Sequence, residues 1–116
     1  MPSERVDELL DALGDERARQ ILAAVTDEPQ SAKELATSLE ASLPTVYRRI
    51  DDLKAADLVS AQTAVAPDGN HFERYTTTFE SLSVRIRDGD YVVDIERTEG
   101  IADRFDDLWS ELGEGR

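Results

Sequence analysis

The chain has 116 residues and a formal net charge of −13, enough for one domain with a real core. It has no cysteine, which excludes disulfides and thiolate metal sites. No apolar run approaches the roughly 18 residues of a membrane span and no signal-peptide pattern is present, so a cytoplasmic protein without a membrane partner is expected.

The first helix is predicted over residues 4–13, with Val6, Leu9, Leu10 and Leu13 on one side and acids on the other. Gly14 stops it, as a residue free to take positive φ. Asp15 caps a second helix whose apolar positions are Ala18, Ile21, Leu22 and Val25, and Asp27-Glu28-Pro29 ends it.

Residues 31–57 read as two short helices joined by a tight turn. Ser31 and Glu34 have the spacing of a capping box, and Leu35, Ala36 and Leu39 form the inward stripe of the helix they start. Glu40-Ala41-Ser42 makes the turn. Ser42 caps the next helix, and Pro44 falls in its first turn, where a missing N–H does no harm. Val46, Ile50 and Leu53 recur at i, i+4 and i+7, which fixes the buried face. A rotation of about 100° per residue then turns Arg48 and Pro44 outward, with Thr45 and Asp52 beside them and Tyr47 and Arg49 on the flanks. This is the shape of a helix-turn-helix, whose second helix fits a DNA major groove. An outward arginine near its start can pair with guanine O6 and N7, whereas Arg49 and Lys54 are placed for phosphates.

After Asp57 the apolar period changes from 3.6 to 2. Residues 58–65 read as a strand, Pro67-Asp68-Gly69-Asn70 as a turn, and residues 72–78 as the return strand. A hairpin at 58–78, straight after a recognition helix, is a wing, and its tip brings His71 and Arg74 toward a flanking phosphate or minor groove. The alternative is that both only decorate the hairpin surface. A second hairpin is predicted at 82–97, where Val84, Ile86, Val92 and Ile95 flank Asp88-Gly89, a dipeptide suited to a type I′ turn. Asp88 and Asp90 lack the run of oxygen ligands a calcium loop needs.

The last helix is predicted at 99–112, with Ile101, Phe105, Leu108, Trp109 and Leu112 on one face and Asp103, Asp106, Asp107 and Glu111 opposite. In so acidic a chain the acids read as a solvated face. The apolar stripe needs a partner, and the leucine-rich first helix is the other candidate for an exposed stripe. A homodimer follows, joined through Val6, Leu9, Leu10, Leu13, Ile101, Phe105, Leu108, Trp109 and Leu112, with two recognition helices on a palindromic site. The alternative is a last helix folded back on its own domain.

The charge is unevenly spread. Residues 31–57 carry four cations (Lys33, Arg48, Arg49, Lys54) against five anions, a net of −1, which leaves −12 for the rest. The fold class expected is α+β, one winged helix-turn-helix domain over 1–116 with two β-hairpins and a C-terminal dimerisation helix. Double-stranded DNA is the expected partner, through Lys33, Ser42, Pro44, Thr45, Tyr47, Arg48, Arg49, Lys54, His71 and Arg74. A winged-helix module that binds another protein and never touches DNA is the competing reading. No nucleophile–base pair, phosphate-cradling glycine loop or metal set is legible, so neither an enzyme nor a cofactor is expected.

Several stretches carry a family likeness: Leu13-Gly14-Asp15-Glu16-Arg17-Ala18-Arg19-Gln20-Ile21-Leu22, Glu34-Leu35-Ala36, Leu43-Pro44-Thr45-Val46-Tyr47-Arg48-Arg49-Ile50-Asp51-Asp52-Leu53 and Leu58-Val59. The Asp68-Gly69-Asn70-His71 tip and the ending, Asp103-Arg104-Phe105 followed by Leu108-Trp109, also fit. Together they resemble the ArsR-like winged helix-turn-helix transcriptional regulators, especially the small versions from halophilic archaea, whose acid-rich, lysine-poor surfaces this chain also resembles. The resemblance implies a dimeric repressor or activator with base contacts from Pro44, Thr45, Tyr47, Arg48 and Arg49, and a wing contact from Arg74. Metal-sensing members use cysteines near the recognition helix, and this chain has none. Where many relatives have glycine before the Leu-Val strand, this one has Asp57, a residue type that tolerates the left-handed region.

Overall fold

The computed structural model describes residues 3–97. Four helices come first: α1 (Ser3–Leu13), α2 (Glu16–Asp27), α3 (Ala32–Ser38) and α4 (Leu43–Ala55). Between α2 and α3 lies a two-residue strand, β1 (Gln30–Ser31). After α4 the chain forms β2 (Val59–Val65), β3 (His71–Thr77), β4 (Phe79–Arg87) and β5 (Asp90–Arg97). The expected C-terminal helix at 99–112, with Ile101, Phe105, Leu108, Trp109 and Leu112, lies outside the described residues. Among the described residues no helix is long and apolar enough to cross a membrane.

The helix starts follow the chemistry of the cap residues. The Asp15 carboxylate accepts from the Ala18 N–H at 2.8 Å and opens α2. Ser31 and Glu34 close the reciprocal capping box at 3.1 and 2.9 Å. Ser42 caps α4, with Pro44 in its first turn. Gly14 departs from expectation. It ends α1 through its N–H to the Leu10 carbonyl at 2.8 Å, but its φ is not positive. A Cβ there would meet the Leu10 carbonyl oxygen at 3.2 Å, so tight approach to the preceding turn explains the glycine.

The helices close one core. Leu9, Ile21, Leu35, Val46, Ile50, Leu53 and Leu58 are fully buried, and among the described residues no charged side chain is. Val6 and Leu9 were expected at a subunit interface. Both are already buried within the chain, because α1 packs on α2 and α4, so Leu10 and Leu13 are the α1 residues left partly open.

The wing is an antiparallel sheet in the order β1-β3-β2, with Val59 opposite Thr77 and Val65 opposite His71. β1 adds Gln30 and Ser31 against Tyr75 and Arg74, a pairing that no local pattern announces. The second hairpin starts at Phe79 rather than residue 82, and it forms a separate two-stranded sheet instead of widening the wing. A knot of hydrogen bonds at its base explains the break. Thr78 N–H donates to the Leu58 carbonyl at 3.1 Å and its hydroxyl to the Asp57 carbonyl at 2.6 Å. Arg97 from the end of β5 donates to that same carbonyl and, at 2.8 Å, to the Thr78 hydroxyl oxygen. Asp57 itself has φ +58, the left-handed turn expected of it. The hairpin tip has the type I′ signature, with φ +53 at Asp88 and +82 at Gly89.

Candidate nucleic-acid interface

The buried stripe Val46, Ile50 and Leu53 presses α4 onto the core and thereby turns its other side to solvent. Pro44, Tyr47 and Arg48 are exposed there, and Thr45 is half-buried beside them. Arg48 has no hydrogen bond or ion pair among the described residues. Its guanidinium therefore reaches solvent with all five donors available. The hydroxyls of Ser42 and Thr45 are engaged with one another at 2.8 Å, while Ser42 Oγ also accepts the Thr45 N–H at 3.3 Å. Ser42 thus fixes the start of the helix. Lys54 is exposed in the last turn of α4.

Arg49 overturns its sequence assignment as a phosphate contact. One residue on, the helix has rotated it toward α1 and α2, where it pairs with Asp15 at 3.0 Å and with Asp52 at 3.3 Å. Its Nε faces Asp52 without hydrogen-bond geometry. With its side chain 23% exposed and two carboxylates on it, Arg49 locks α4 to the start of α2.

Between α4 and the wing runs an open groove of about 700 Å³. Lys33 and Glu34 from the start of α3, Leu43 and Tyr47 from α4, and His71 to Tyr75 from β3 line it. Three of the expected contacts, Lys33, His71 and Arg74, therefore do converge with Tyr47. Arg74 is not at the wing tip: it pairs with Gln62 in mid-strand, and its guanidinium lies over the Phe72 ring at 5.3 Å. His71 sits closer to the tip, opposite Val65.

Sequence reasoning missed Phe72 and the anionic members of this groove. Glu34 contributes its capping carboxylate, held below the ordinary carboxylate value mainly by the Ser31 N–H and to a smaller degree by the Arg74 charge. Tyr75, whose hydroxyl donates to Glu73 at 3.1 Å, has its pKa pushed up to about 12 by burial first and by that carboxylate second. The S-x-x-E signal marks Glu34 only as a cap; that it also faces a wing arginine depends on the β1–β3 pairing. The groove mixes Lys33, His71 and Arg74 with Glu34, Asp68 and Glu73, so geometry and not bulk positive charge distinguishes it.

Residues 13–60, from the end of α1 to the first residues of β2, match the family model of a helix-turn-helix domain. Among solved structures the chain is similar to reduced HlyU from Vibrio cholerae N16961, with 29% identity and a TM-score of 0.54 over 65% of this chain and 74% of that one. It is similar also to HlyU from the same organism, with 28% identity and a TM-score of 0.55 over 65% of this chain and 76% of that one. No curated protein sequence matches it. The chain is a mixed α+β protein of the winged helix-turn-helix fold, and its residues 13–60 match a helix-turn-helix domain.

Proposed function

We propose that the protein is a sequence-specific DNA-binding transcription regulator that acts as a homodimer, with α4 in the major groove and the wing on the backbone. One observation carries this reading: α4 buries Val46, Ile50 and Leu53 and offers Pro44, Tyr47 and Arg48, which has no partner among the described residues, on the face beside the wing groove. The match of residues 13–60 to a helix-turn-helix domain supports it. Arg48 reads a base edge, and Tyr47 and Thr45 flank it. Lys33, Lys54, Arg74 and His71 contact phosphates. Two copies join through Leu10 and Leu13 of α1 together with Ile101, Phe105, Leu108, Trp109 and Leu112. This sets two copies of α4 about 34 Å apart, one turn of the duplex.

The net charge of −13 is compatible with this role in a salty interior, where at 1 M salt the Debye length falls to about 3 Å and diffuse repulsion from DNA is muted. Selection from a random duplex pool at high salt tests the reading. Enrichment of a palindromic site supports it, and recovery of no preferred sequence contradicts it.

A further inference from the structure

We infer that the apolar face of the β4–β5 hairpin is covered by residues 99–112 of a second copy of this chain, an inference that rests on the homodimer reading above. The strand register sets Leu82 opposite Ile95, Val84 opposite Val93 and Ile86 opposite Tyr91. Residues two apart on a strand share a face, so these six side chains form one apolar surface. Its inner end is anchored, since Leu82, Val93 and Ile95 pack against the core. Its outer end is bare: Val84, Tyr91 and Ile86 are 40%, 56% and 68% exposed. The opposite face is mostly polar, with Ser83 across from Asp94, Arg87 across from Asp90, and Arg85 paired to Asp94 at 2.5 Å, while Val92 across from Arg85 is its apolar member. An isolated two-stranded hairpin is marginal in water, so this one has reason to find a cover.

The remaining chain leaves β5 at Arg97, at the anchored end of that face. At helical spacing Ile101, Phe105, Leu108, Trp109 and Leu112 fall within an arc of about 100° and span about 16 Å, while the three hairpin pairs span about 13 Å. The lengths fit, but so narrow an arc covers one surface and not two. Closed over its own hairpin, the segment would leave a subunit contact to Leu10 and Leu13, both already partly buried. That falls far below the roughly 800 Å² per partner that a stable dimer buries. Exchanged between copies, the same residues cover the bare hairpin and supply two aromatic side chains of about 150–250 Å² each. α1 packs against β5, and Arg5 and Arg97 both reach Asp57, so the hairpin face and α1 lie side by side as parts of one interface.

The lack of native cysteine makes the test direct. The double variants Ile86→Cys/Leu108→Cys and Ile86→Cys/Leu112→Cys are treated with a short bis-maleimide, after light scattering has fixed the mass of the unmodified chain. The expected result is a dimer by mass that cross-links into a covalent dimer. A monomeric mass overturns the homodimer reading and this inference with it. A dimeric mass with internally cross-linked monomers, or with no cross-link of either kind, overturns the exchange and leaves the dimer intact. In parallel, Ile86→Asp is expected to raise the dimer dissociation constant about tenfold or more. It should also shift Trp109 emission to the red with the circular dichroism unchanged. An unchanged dissociation constant in that folded variant contradicts the inference.

Discussion

At about 100° per residue two adjacent arginines on a helix cannot share a face, and in α4 that rotation sends Arg48 to solvent and Arg49 back to Asp15 and Asp52. The sequence places Arg48 outward and Arg49 on a flank of the buried stripe, where a cation can reach phosphate; it does not show that Asp15, at the start of α2, stands beside that flank. Arg49→Ala is expected to lower stability by about 1 kcal/mol, the upper end for a largely solvent-screened pair. A urea midpoint measures this, and base preference should be unchanged. Asp15 combines a cap with that ion pair, so Asp15→Ala should cost about 1–2 kcal/mol. Its carboxyl is held below the ordinary value of 3.8, first by the Ala18 N–H and then by Arg49. A carboxylate with a depressed folded pKa contributes stability that is complete above its unfolded value and is lost as pH falls through the folded one. Urea melts taken from neutral pH to below 3.8 should therefore show a falling acid limb, shallower in Asp15→Asn, which keeps a capping oxygen. Tyr75 gives the alkaline counterpart. One of the three tyrosines should ionise near pH 12 in an absorbance titration, and Tyr75→Phe should remove that step.

Elements with local signals were legible, and elements defined by distant partners were not. The capping box, the Ser42 cap, the proline in the first turn and the 3.6-residue stripe all lie within a few residues of what they specify, and α2, α3 and α4 begin where those signals fall. The two-residue β1 exists only because β3 returns beside it, so no window of sequence contains its cause. The same holds for the start of the second hairpin at Phe79, set by Asp57, Thr78 and Arg97 meeting across the fold. At the hairpin tip, a Cβ added to Gly89 would meet nothing within 4 Å, yet its φ of +82 is unsuited to an L side chain. Gly89→Ala should therefore cost the hairpin about 1–2 kcal/mol through backbone strain alone. The expected readout is faster amide exchange confined to β4 and β5, with the helical core unaffected.

For the molecule as a whole, the opposition is between an anionic body and a recognition face that carries few cations. Among the phosphate-contacting residues the formally charged ones, Lys33, Lys54 and Arg74, give a dimer about six charged contacts, so the slope of log affinity against log salt should be no steeper than about −5. Glu34, Asp68 and Glu73 in the wing groove should make it shallower still. Affinity in such a protein must come from short-range fit, and that places the burden of specificity on the outward face of α4. The most direct test is equilibrium binding of the unmodified chain, Arg48→Ala and Arg49→Ala to the selected duplex and to its single-base variants. Arg48→Ala should weaken binding by about 1–3 kcal/mol and lose discrimination at one base position, while Arg49→Ala discriminates as before. Full discrimination retained by Arg48→Ala, or its loss in Arg49→Ala alone, would contradict the reading of α4 as the base-recognising element.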